Sequence, residues 1–116
     1  MPHTHTPITT AAHVNIEFHN TGKREEIVHL ANDLVNTLMR HDENVVSASL
    51  YIDRPNAVRL PCEYDLRLKI QSKHFGQLIA GSKGASLTQA VRKVFDRATC
   101  EMNVRRNKEL RRRKEG

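Results

Sequence analysis

Tyr64-Asp65-Leu66-Arg67-Leu68-Lys69-Ile70 decides the fold. Apolar residues alternate with Asp65, Arg67 and Lys69, the period of two that a strand shows when one face is buried and the other is wet. Upstream, Val46, Ala48, Leu50 and Ile52 alternate with Ser47, Ser49 and Tyr51 in a second such strand, broken by Asp53-Arg54-Pro55-Asn56. The segment to Pro61 connects the two. Downstream, a hairpin-like link through Ser72–Phe75 leads to a weaker strand at Leu78-Ile79-Ala80, which Gly81-Ser82-Lys83-Gly84 closes.

Further out the pattern repeats and then changes period. Val14, Ile16 and Phe18 alternate with Asn15 and Glu17. Asn20-Thr21 offers a helix N-cap. Ile27, Ala31, Leu34 and Leu38 follow at helical spacing, widened by Val28, Val35 and Met39. Glu25-Glu26 and Arg40-His41 suit the two ends of that helix's dipole. Residues 1–12 carry two prolines, no charge and no periodicity, and read as a flexible leader.

At the other end, Ser86-Leu87-Thr88-Gln89 is a capping box. It opens a second helix whose apolar stripe is Leu87, Ala90, Val91, Val94, Ala98 and Met102, with Phe95 at the border. Arg92, Lys93, Asp96 and Arg97 fall on the opposite side. After Met102 the stripe stops and Arg105 occupies its line, so the helix is expected to outrun the core. Glu101–Arg105 and Glu109–Arg113 have the favourable i,i+4 order and support the projection.

The element order is β-α-β-β-β-α. Two helices cannot fill both faces of a four-stranded sheet, so both should pack on one face. The expected fold is an α+β two-layer sandwich, similar in layout to a double-stranded-RNA-binding domain. The expected organisation is a leader (1–12), one domain (13–103) and a basic helical extension or tail (104–116).

Length and composition agree. At 116 residues and 38% apolar, the chain is one domain with a modest core. No run approaches the ~20 apolar residues of a membrane span, and no signal peptide is visible. Two cysteines, Cys62 and Cys100, are too few for a disulfide scaffold and suit free thiols in a reducing cytoplasm.

The net charge of +6 is segregated. Residues 92–116 hold ten Lys/Arg against four Asp/Glu, an excess of six, and the remaining 91 residues balance. The ten are Arg92, Lys93, Arg97, Arg105, Arg106, Lys108, Arg111, Arg112, Arg113 and Lys114. A neutral domain with one cationic arm points to a polyanionic partner met by one element. Five aromatics without Trp argue against single-strand binding by base stacking. Recognition of folded RNA by shape and phosphate fits better.

Catalytic and metal chemistry find little support. The seven histidines are scattered, with no HExxH and no closely spaced ligand pairs. Cys100 lacks a local base and oxyanion hole. Gly81-Ser82-Lys83-Gly84 lacks the spacing of a phosphate loop. The expectation is no catalytic residue, no metal, no cofactor, no small-molecule substrate and no membrane partner.

The element order, with Leu78-Ile79-Ala80-Gly81 leading into Ser86-Leu87-Thr88-Gln89-Ala90-Val91 and then Asp96-Arg97-Ala98 before a basic helix end, resembles the ribosome hibernation promoting factors. That family is also called ribosome-associated inhibitor A or sigma-fifty-four modulation proteins. The entry to helix one at Asn20-Thr21 matches in place, and the likeness covers roughly residues 13–108. It implies a short, cytoplasmic family member that binds rRNA in the decoding channel of the small ribosomal subunit and blocks translation. It also implies that Arg92, Lys93, Arg97, Arg105, Arg106 and Lys108 face rRNA. Two alternatives are a regulatory module whose basic helix binds an acidic protein and a generic double-stranded-RNA binder.

Overall fold

The computed structural model describes residues 8–11, 14–55 and 63–115, with side chains described over 14–55 and 63–108. In chain order the elements are β1 (Ile8–Ala11), β2 (Val14–His19), α1 (Glu25–His41), β3 (Val45–Asp53), β4 (Tyr64–Ser72), β5 (Gly76–Gly84) and α2 (Leu87–Glu115). The sheet order is β1-β2-β3-β4-β5. β2 and β3 are parallel, joined by the α1 crossover, and every other pair is antiparallel.

The alternation read from the sequence is the alternation of burial. Leu66, Leu68 and Ile70 of β4 lie opposite Ile52, Leu50 and Ala48 of β3, and all six are buried. Leu78 continues the layer on β5, opposite Ile70. Both helices cover this face. α1 contributes Ile27, Val28, Ala31, Val35 and Leu38, and α2 contributes its stripe from Leu87 to Met102, with Phe95 fully inside it. The β-α-β-β-β-α order and the two-layer α+β sandwich are as expected, with one short strand added in front.

That added strand lies in the segment read as a leader. Ile8–Ala11 pairs with β2, with Ile8 opposite Glu17 and Ala11 opposite Val14. Four residues are too few to display a period. Their β-branched content favours extension, and the hydrogen bonds come from the otherwise unpaired edge of β2. Residues 1–7, with His3 and His5, lie outside the described residues, as does Cys62.

Three local expectations are corrected. The cap of α1 is Arg24, without a side-chain cap bond. Asn20 instead takes the left-handed conformation, φ 59°, and its amide donates to Asp53 Oδ1 at 2.9 Å, closing the end of β2. Val46 shares the alternation of Ala48, Leu50 and Ile52 in the sequence, but it is 49% exposed and Val45 is buried. The register shifts between Val45 and Ser47, and such a bulge turns one extra residue out of the ladder. Finally, Gly81–Gly84 does not end the last strand. It lies inside β5, with Gly81 opposite Arg67 and Lys83 opposite Asp65. Ladder pairing with β4 overrides the turn tendency of two glycines.

The β4–β5 hairpin turns at Gly76, whose φ of 81° suits a residue without a Cβ. Ser72 at the end of β4 accepts the His74 amide through Oγ at 3.0 Å and shapes the same turn.

Candidate functional site

The position of α2 follows from contacts with β5. Ser86 caps the helix, its Oγ accepting the Gln89 amide at 3.3 Å and its carbonyl accepting the Ala90 amide at 2.9 Å. Buried Ser82 donates from Oγ to the Ala90 carbonyl at 2.8 Å, tying the first turn to β5. Further along, Arg97 reaches Gly81 and Arg105 reaches Gln77. Contacts with residues 82, 81 and 77 in that order mean that α2 runs antiparallel along β5. Met102 is its last buried residue, yet the helix continues to Glu115. At 1.5 Å per residue, its 29 residues span about 43 Å.

The structure divides the predicted cations into two groups. Arg92, Lys93 and Lys108 are exposed and have no intramolecular partner among the described residues. Three others are engaged. Arg97 Nη1 donates to the Gly81 carbonyl at 2.7 Å. Arg105 Nη1 donates to the Gln77 carbonyl at 3.2 Å, its Nε pairs with Glu101 Oε2 at 3.3 Å, and its guanidinium lies 5.4 Å from the Phe75 ring centre. Arg106 Nη2 pairs with Asp42 Oδ2 at 3.3 Å. The side chains of Arg111, Arg112, Arg113 and Lys114 lie outside the described ones.

The engaged arginines have a structural reason. β5 is an edge strand, and its outer carbonyls would otherwise invite another strand. Arg97 and Arg105 take two of them. Arg105 also shields Phe75, which explains a charge on the continuation of the apolar stripe. Its guanidinium lies over the Phe75 ring while the side chain stays partly exposed. Asp42 does double work at the end of α1. Oδ1 accepts the Asn44 amide at 3.0 Å while Oδ2 faces Arg106. This ties the two helices together where α2 leaves the core.

A guanidinium has five N–H donors in a fixed fork. Arg97 uses one on Gly81, and Arg105 uses one each on Gln77 and Glu101. Each keeps donors for an anion while its position is fixed. Among the described residues, the solvent side of α2 therefore carries unpaired cations at Arg92, Lys93 and Lys108, and oriented ones at Arg97 and Arg105. Cations so placed can hold an anion by attraction and by directed N–H bonds.

Among the described residues, no three His, Cys, Asp or Glu side chains converge on a metal-sized site, and no helix is long and apolar enough to cross a membrane. Cys100 is an exposed free thiol.

The sequence matches no protein-family model and no curated protein. The fold does have counterparts. A ribosomal subunit interface protein from Coxiella burnetii superposes with a TM-score of 0.71 at 4% identity, covering 83% of this chain and 99% of that one. The N-terminal domain of Thermus thermophilus Protein Y superposes with a TM-score of 0.63 at 14% identity, covering 82% and 98%. At these identities the likeness is one of fold. The family resemblance read from the sequence is thus met at the level of architecture.

Proposed function

We propose that this chain is a non-enzymatic, ribosome-binding translation inhibitor. It lodges in the decoding channel of the small subunit and lays α2 against rRNA. The carrying observation is the basic face of α2, which outlasts the core at Met102 on a fold shared with a ribosomal subunit interface protein.

The physics is that of a wedge held by counter-charge. The molecule measures 54 × 38 × 18 Å, thin in one direction. Lys and Arg on one helix replace condensed counterions along a phosphate backbone, and their release favours association in a salt-dependent way. Occlusion needs no bond to be made or broken.

The test is a sucrose-gradient profile of purified small subunits with and without the protein, paired with cell-free translation. The expected outcome is cosedimentation that weakens steeply with added salt, together with loss of translation. Protein that stays at the top of the gradient at low salt would overturn the reading. Capture of an acidic protein that survives nuclease treatment would support the alternative module.

A further inference from the structure

A groove at the β5 edge draws cations from three separate elements. Arg67 of β4 and Lys83 of β5 line it together with Arg97 of α2. Gly81 also lines it, is exposed, and has no side chain to fill the space. Arg67 is the direct cross-strand partner of Gly81, so the two share the open face of the sheet about 5 Å apart. Lys83 stands two residues along the same strand, on the same face. Arg97 is already fixed there through its bond to the Gly81 carbonyl.

One acid is present. Asp65 lies opposite Lys83 and lines the same groove, leaving three cations against one carboxylate. Arg67 and Lys83 are exposed and have no ion pair among the described residues. Neither belongs to the basic C-terminal end, and both lie in the part of the chain that is neutral overall.

We propose that this groove is a seat for one phosphodiester of an RNA backbone. Arg97 supplies directed N–H donors, and Arg67 and Lys83 supply charge from the sheet side. This rests on the ribosome-binding reading and extends it. The RNA contact wraps from α2 over the β5 edge onto the open face, so one strand of RNA meets two surfaces at an angle. A phosphate fits the gap above Gly81 because no Cβ occupies it. Phosphate bound by three elements would orient the protein, whereas a single helix would leave it free to roll about its axis.

The experiment has three arms. The first follows backbone amides by NMR while a short RNA duplex, and separately inorganic phosphate, is added to the intact chain. Gly81 and Lys83 should shift with RNA. Shifts with inorganic phosphate but none with RNA would overturn the assignment. The second compares Arg67→Gln/Lys83→Gln with wild type for duplex and small-subunit binding across a salt series. Loss of one phosphate contact should lower the log–log salt slope by about 0.7–0.9 and the affinity about 5–8-fold near 0.1 M salt. Wild-type slope and affinity in that variant would sink the seat even if the protein cosediments with ribosomes. Conversely, a protein that ignores ribosomes can still bind duplex through the seat, so the two readings fail separately. The third arm is Gly81→Asp, which places a carboxylate where the phosphate would sit. A Cβ there meets only the Leu66 carbonyl, at the ordinary distance of 3.5 Å, so the fold should survive. Binding should fall at least as far as in the double variant, and undiminished binding would count against the seat.

Discussion

Replacing Arg92, Lys93 and Lys108 together by Gln separates the work of α2 in binding from its work in folding. All three are exposed and unpartnered among the described residues, and Gln keeps a long, helix-compatible side chain. Unfolding stability should therefore change by no more than about 0.5 kcal/mol. Binding should change much more. If each cation meets one phosphate, the log–log salt slope falls by about 2–2.7, and affinity near 0.1 M salt drops about 100–500-fold. The comparison variant is Arg97→Gln/Arg105→Gln. It loses the bonds to the Gly81 and Gln77 carbonyls, so it should also lose about 1 kcal/mol of stability. The assay is anisotropy of labelled protein with small subunits over a salt series, alongside urea unfolding of each variant. The reasoning fails if the triple variant keeps the wild-type slope. It also fails if the triple variant unfolds as easily as the Arg97/Arg105 pair.

Three further outcomes test the scaffold. Leu68→Ala should cost about 2–5 kcal/mol by urea unfolding, because Leu68 is fully buried between β3 and β5; a cost under about 1 kcal/mol would mean that the site is loosely packed. Gly76→Ala should cost about 1–2 kcal/mol, read as a lower Tm, since φ is 81° and nothing crowds the added Cβ. The Glu26 carboxyl is held below its ordinary value of 4.5, first by its own backbone amide and then by the Arg24 guanidinium. Its contribution is present above pH 4.5 and fades as pH falls through the lowered value. Glu26→Gln should therefore be slightly less stable than wild type near neutrality and converge with it in acid, and a constant gap across pH would contradict that assignment.

Where burial alone sets the pattern, the fold was legible. β4 reads correctly residue by residue because each inward Leu or Ile is flanked by a charge. The stripe of α2 ends at Met102 in sequence and in space for the same reason. Legibility stops where two neighbours qualify equally. Val45 and Val46 are identical in chemistry, and only the bulge, a product of pairing with β4, decides which is buried. It also stops where a strand depends on a partner. Ile8–Ala11 shows no pattern of its own and is extended because β2 has an edge to offer. Asn20 has a capping side chain, but Asp53, thirty-three residues away, claims it.

The candidate site divides along the same line. A count of charge treats ten cations as equivalent and locates the whole excess on one helix. Space separates them according to what lies opposite. Arg105 looks like an interruption of the apolar stripe until Phe75 and the Gln77 carbonyl, twenty-eight residues earlier in the chain, are seen beneath it. Arg67 and Lys83 cancel against acids in any running sum, yet folding carries them to the edge where Arg97 sits. An edge strand must be blunted, and a guanidinium does so while keeping most of its donors. On the proposed reading, the residues that close β5 to other strands are those that would present a fixed cation to a phosphate, so protection of the edge and recognition of RNA would select the same arginines.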